Sequence, residues 1–384
     1  MNMVSRSELI QNLEPIHFVL IFVGFFALIP FLRLVLLFKE TKIKEYLLFG
    51  FVFLLAALFT ISEVLAEASN ELVFWQLSFT FRNLTYFLFF THTVRMMWAR
   101  PSELLVYIGV ILYSLVQGMI FLWEPLKSIY DDPSLIGAGL VIDGQRLYST
   151  DYRLLGNIFQ VYVASLFLYS YLSVKVVDRA PRLKISIVIM RGVGSLLLLS
   201  RLTRLVQNFG ILDYDIIESI GAVVLLIGFG FIAFIFYYYP GSILVSKAQI
   251  AGLIVISKTG MPIASGKFED SNLSGSSTLL SGIISAVQNV MGTIDEGTRV
   301  KEIDAGDRSI LVEHQSDIYF MLVADSAPTA ILRSSLSYFA RTFIHEKENE
   351  IREFNYTGKV IQDITEVVQK SFPYTIGRPM EIWP

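Results

Sequence analysis

The sequence predicts a multi-pass α-helical membrane bundle of seven transmembrane helices, N-terminus outside, followed by a cytosolic α+β domain. Three observations carry this. The chain has 384 residues, 54% of them hydrophobic, above the roughly 45–50% apolar share of soluble domains. Apolar runs of the roughly 20 residues that cross a bilayer recur seven times before Pro240. Beyond the seam FIAFIFYYYPGSILVSKAQIAGLIVIS, Phe231 to Ser257, charges become frequent and the hydrophobic period shortens from helical to alternating.

The runs are Ile16–Phe38, Tyr46–Ala66, Leu72–Met97, Leu104–Trp123, Leu154–Val176, Ile185–Asn208 and Ile217–Tyr239. The third is interrupted by Arg82 and Asn83 and reads as a buried helix with a polar face. The first is longer than a signal-peptide core and follows Glu8 and Glu14 beside Arg6, so it reads as a span. Loop charges orient the bundle. Arg33, Lys39, Lys42 and Lys44 mark the first connection, Arg95 and Arg100 the third, and Lys175, Arg179, Arg182 and Lys184 the fifth. The second and sixth connections hold no Lys or Arg, which puts the odd connections and the C-terminus in the cytosol. The longer fourth connection, with Lys127 and Arg146, follows that rule only weakly. There Asp143-Gly144, between Leu140–Ile142 and Gln145–Tyr148, predicts an outer β-hairpin at about 135–150, a spacer or a ligand lid. Tyr237, Tyr238 and Tyr239 form an interfacial aromatic belt, and Pro240-Gly241 ends the last helix.

Composition removes several chemistries. Without cysteine there is no disulfide, thiolate nucleophile or thiolate metal site. Four histidines, His17, His92, His314 and His345, leave little for a metal centre or a triad. A net charge of −3 offers nucleic acid no basic field. The last span has no lysine for a retinal Schiff base, and no repeated halves suggest a secondary transporter. The chain is expected to be non-enzymatic, without metal or cofactor.

Ionisable residues within spans default to function. They are Glu63 and Glu67 on the second span, Arg82 on the third, and Arg191, Arg201 and Arg204 on the sixth. At about 1.5 Å per residue, Glu63, Arg201 and Arg82 lie roughly 5, 10 and 14 Å below the outer boundary. Glu63, Gln76, Arg82, Asn83, Arg201 and Arg204 are therefore the candidate ligand pocket, for a small anionic or zwitterionic molecule. A salt bridge that locks packing and a transport path are the alternatives. Gly192, Gly194, Gly221, Gly228 and Gly230 would allow close helix approach, without a clean small-xxx-small pattern.

Past the seam, Gly252–Ser257 and Met261–Phe268 form an opening hairpin around Lys258-Thr259-Gly260. A helix over Ser277–Ile294 follows, with Leu279, Leu280, Ile283, Ile284, Val287, Val290 and Met291 at helical spacing. Strands are expected at Thr298–Ala305, Arg308–His314 and Ile318–Ala324. A second helix should start at Ser326, with Pro328 in its first turn and Leu332, Leu336, Phe339 and Phe343 buried. A last helix over Tyr356–Ser371 should bury Val360, Ile361, Ile364, Val367, Val368 and Phe372. Domain limits follow: 1–240 bundle, 241–250 coupling linker, 251–354 α+β domain, 355–384 C-terminal helix and tail.

GLIVISKTGMPIASGKF, LLSGIISAVQNVM and RSILVEHQSDIYFMLVADSAPTAILRSSLSYFARTF resemble the longin and roadblock superfamily of profilin-like sheets. The resemblance implies a platform for a small GTPase or another trafficking or signalling partner, and a homodimer through this domain. It implies a partner surface on the first long helix, here Leu279, Ile283, Ile284, Val287 and Met291. The membrane half, with YYYPGSILVSKAQI at its exit, looks like seven-span sensor regions that precede prokaryotic signalling modules. Kinase and cyclase signatures are missing from the cytosolic part. The expectation is a receptor-like protein of the cell membrane, in contact with lipids, coupling an outer site to recruitment of a cytosolic protein. A transporter or channel with a regulatory domain, and a passive anchor for trafficking machinery, are the alternatives.

Overall fold

The computed structural model describes residues 15–69, 72–97, 103–121, 150–174, 181–207, 227–228, 230–246, 248–269, 271, 273, 276–294, 300–304, 306, 308–375 and 380–383. The N-terminal part is helical: α1 (Pro15–Thr41), α2 (Lys44–Ser69), α3 (Leu72–Met97), α4 (Glu103–Phe121), α5 (Thr150–Ser173) and α6 (Pro181–Gln207). Residues 227–228 and 230–238 are helical as well and are called α7. Four stretches are long and apolar enough to cross a membrane: Leu20–Thr41, Lys44–Ala66, Leu154–Ser173 and Leu183–Val206. A shorter apolar helix covers Leu104–Ile120. The expected outer hairpin and the first half of the seventh run lie outside the described residues.

Phe22, Phe25, Phe26 and Leu32 of α1 are exposed, as lipid-facing side chains would be. The interior is aromatic. Phe49 of α2 meets Phe89 and His92 of α3 and Phe236 of α7 at ring distances of 5.5, 4.4 and 4.5 Å. These T-shaped contacts lock helices that gain nothing from lipid-excluding collapse alone. Of the glycines expected to admit a neighbour, Gly194 has Leu168 of α5 at 3.3 Å from an added Cβ, whereas Gly192 and Gly230 face open space.

The C-terminal domain is a six-stranded antiparallel sheet, ordered β3-β4-β5-β1-β2-β6. Its strands are β1 (Ile250–Ser257), β2 (Pro262–Phe268), β3 (Glu302–Asp304), β4 (Ser309–Gln315), β5 (Ile318–Ala324) and β6 (Met380–Ile382). Central strand β1 pairs Leu253 with Leu322 and Val255 with Phe320 on β5, and continues into β2 through a register shift after Val255. Its side chains are buried on both faces because helices cover both. α8 (Ser277–Ile294) packs against one face, where Ile284 joins Ile254, Ile256, Met321, Val323 and Trp383. α9 (Ala330–Glu346) and α11 (Thr365–Ser371) cover the other, where Leu336, Phe339, Phe343 and Phe372 meet Leu253, Val255, Phe320 and Leu322.

Three local expectations are corrected. The second helix of this domain starts at Ala330 rather than Ser326, because the Thr329 hydroxyl accepts from the Leu332 N–H and caps it; Pro328 therefore precedes the cap. A continuous helix over Tyr356–Ser371 does not form. α10 (Glu348–Thr357) stops at Gly358, whose φ of 72° is the left-handed C-terminal conformation glycine adopts cheaply. The chain then runs past β2, where the Ile361 N–H donates to the Ile263 carbonyl at 2.8 Å, before α11 begins; Val360 is left exposed. Strand β6 was not anticipated. It is held by Trp383, whose carbonyl accepts from the Ser265 and Ser277 hydroxyls at 2.6 and 2.9 Å.

Candidate functional site

Helix and sheet parts share one continuous apolar core, and the junction is built from both. The seam is compact rather than extended. Pro240–Leu244 winds a 3-10 turn with Ser242, Ile243 and Leu244 buried. A Cβ on Gly241 would come within 2.6 Å of Pro373, so only glycine allows this approach. Beyond the turn the Ser246 and Thr329 hydroxyls hydrogen-bond at 2.8 Å. Gln249 and Asp325 exchange a pair of bonds, at 2.7 Å to the Asp325 side chain and 3.0 Å to the Gln249 carbonyl. The α7 exit is thereby pinned to the start of α9.

α9 also touches the helical bundle directly. At the end of α1, Lys42 takes φ 59° and leaves the Thr41 carbonyl without an intrahelical donor. Arg341 of α9 supplies that donor at 2.7 Å. Next along, Glu45 lies in the first turn of α2 and Arg95 in the last turn of α3, positions their helix dipoles favour. The antiparallel packing of α2 on α3 brings them together. Arg95 donates to Glu45 Oε1 from Nη2 at 2.6 Å and from Nε at 3.2 Å. Glu45 is fully buried, and the Ser334 hydroxyl of α9 lies 3.5 Å from the same oxygen. Sequence reading used Arg95 only as a topological marker and missed Glu45 and Arg341. A carboxylate opening α2 directly after Lys42 and Lys44 was the available signal.

Within the bundle, Arg201 of α6 is 1% exposed. Its Nη1 donates to Gln160 Oε1 of α5 at 2.8 Å, and its guanidinium lies 5.5 Å from the Tyr86 ring centre on α3. Its Nε and Nη2 are buried without a hydrogen-bond partner. Arg82 lies 4.8 Å from the Phe79 ring and 6.0 Å from Phe59. Arg82 and Arg204 are charged neighbours of Arg201. Gln76 donates to the Ile120 carbonyl at 3.4 Å, which ties α3 to α4, and Asn83 is fully buried. Asn157 of α5 donates to the Arg204 carbonyl at 3.5 Å. Glu63 is partly buried on α2. Arg191 of α6 donates to the Tyr171 and Val174 carbonyls at the end of α5, both at 3.0 Å. A cavity of about 20 Å³ adjoins the Arg201 layer, lined by Thr85, Tyr86 and Phe89 of α3, Val163, Ala164 and Phe167 of α5, and Leu197 of α6.

On the far side of the sheet, Leu279, Ile283 and Val287 of α8 are 68%, 51% and 36% exposed, while Ile284 is buried beneath them. The spacing i, i+4, i+8 makes them one apolar stripe on the helix face turned away from the sheet. The Met291 side chain lies outside the described residues. No group of three or more His, Asp or Glu side chains suited to a metal occurs among the described residues. No family model, curated protein or solved structure matches the chain.

Proposed function

We propose that this chain is a non-enzymatic, receptor-like protein of the cell membrane with seven spans and its N-terminus outside. It couples a site inside the bundle to a longin-like cytosolic module that recruits a protein partner, a small GTPase. The junction is the observation that carries this reading. A passive tether needs only a flexible link, whereas here α9 caps α1 through Arg341 and lies beside the buried Glu45–Arg95 pair. A shift of α2 against α3 would therefore reach the sheet. The longin-like assignment draws on the order strand, strand, helix, three strands, helix. The exposed stripe Leu279, Ile283 and Val287 is the surface we assign to the partner.

Recruitment is tested with the full chain in lipid nanodiscs, incubated with small GTPases in their diphosphate and triphosphate-analogue states. Binding that falls at least tenfold with Ile283→Glu supports the reading. No complex with any GTPase in either state removes the GTPase from it. A passive anchor is the second reading, favoured by the small volume of the cavity beside Arg201, far below the roughly 300 Å³ at which ligand pockets begin. It prevails if substitutions around Arg201 leave recruitment unchanged. Flux across proteoliposomes that is lost with Arg82→Ala or Glu63→Ala replaces both with the transporter reading.

A further inference from the structure

We propose that Arg201, oriented by Gln160, holds the head group of a small amphiphilic carboxylate, a single negative charge carrying a short apolar tail. The inference rests on the receptor reading and names the ligand class of its bundle site.

The argument starts from the guanidinium. It has five N–H donors in a fixed fork and no acceptor. Gln160 takes a donor on Nη1 at 2.8 Å and so fixes the plane of the group. The Tyr86 side chain also interacts with the guanidinium, and Nε and Nη2 are the nitrogens that make no hydrogen bond of good geometry. These two nitrogens share one edge of the fork, the edge that a carboxylate grips with two parallel bonds. A fully buried cation without a carboxylate partner among the described residues is costly, and Arg82 and Arg204 add like charge nearby. One anion on that edge would offset both the charge and the unpaired donors.

The neighbouring cavity specifies the rest of the ligand. It shares Tyr86 with Arg201; Val163 and Ala164 follow Gln160 within a turn of α5, and Leu197 lies one turn before Arg201 on α6. Its lining is almost wholly apolar, which suits methylenes rather than a second polar group. At about 20 Å³ it has room for only the first carbons of a tail, so longer ligands must part α3 from α5 and α6. Inorganic anions would meet the fork and leave the apolar cavity unused.

The test uses the full chain in lipid nanodiscs, titrated calorimetrically with acetate, butyrate and hexanoate, with chloride as the inorganic control. Saturable binding is expected, tightening about threefold to fourfold per added methylene over the short acids. Arg201→Lys, which keeps the charge but has no fork, should weaken butyrate at least tenfold. Should that variant fail to fold, Gln160→Leu keeps Arg201 and removes the group that orients it, with the same weakening expected. No carboxylate binding, chloride binding as tightly as butyrate, or unchanged affinity in a folded Arg201→Lys protein would each overturn the proposal. Recruitment of the cytosolic partner is measured separately. Intact recruitment without carboxylate binding removes the ligand class alone, and carboxylate binding without recruitment removes the output reading alone.

Discussion

The Glu45–Arg95 pair yields the sharpest prediction, because both groups are held by local helix rules yet meet only through tertiary packing. Glu45 is fully buried and Arg95 has a side chain 36% exposed, so the two substitutions are not equivalent. Glu45→Gln keeps volume, removes the charge and leaves Arg95 able to reach water; with two charge-assisted bonds weakened it should cost about 2 kcal/mol. Arg95→Gln instead strands a buried carboxylate, a change that costs roughly 3–5 kcal/mol. The double variant leaves neither charge exposed to that penalty, so the two losses should fall short of additivity by about 2 kcal/mol. Denaturant unfolding of the full chain in detergent, followed by tryptophan fluorescence that includes the buried Trp383, measures the cycle. Additive losses, with a coupling under about 0.5 kcal/mol, would refute the pair as a working part of the junction.

Two further predictions concern the sheet side. Gly241→Val places its Cβ against Pro373 and should destabilise the seam by about 1–3 kcal/mol, read as a lowered midpoint in the same unfolding assay. Asp363 accepts from the Thr365 backbone N–H at 2.9 Å as α11 begins, and this bond holds its carboxyl below the usual carboxylate range. A lowered folded-state value means stabilisation present at neutral pH and lost as pH falls through that value. Asp363→Asn should therefore be less stable than the parent at pH 7, with the gap closing as acidification protonates the Asp363 carboxyl, by thermal unfolding across a pH series.

Helix limits in the described N-terminal part were readable because apolar length is a property of short windows, and four of the stretches are long and apolar enough to cross a membrane. Ile16–Phe38 became Pro15–Thr41, and Leu72–Met97 agrees to the residue. The stripe Leu332, Leu336, Phe339 and Phe343 is buried as its spacing predicts. Local rules failed where two signals competed. Val360, Ile361, Ile364 and Val367 suggest a helical stripe, but Gly358 ends α10 and the Ile361 N–H bonds to β2 instead. In the α8 stripe, spacing set which residues share a face, while the sheet decided that Ile284 is covered and Ile283 is not.

By itself, then, the sequence determines an apolar helical half, an alternating half with two amphipathic helices, and the polar residues that must be accommodated between apolar runs. Each is encoded in a window of a few turns. The tertiary structure alone decides which long-range partners those residues meet. Arg341 reaches the Thr41 carbonyl across 300 positions and Ser334 approaches Glu45 across 289, separations at which no periodicity survives. One edge of the Arg201 guanidinium is left without a hydrogen bond for the same reason: its neighbours come from α3 and α5, placed by packing that no single helix specifies.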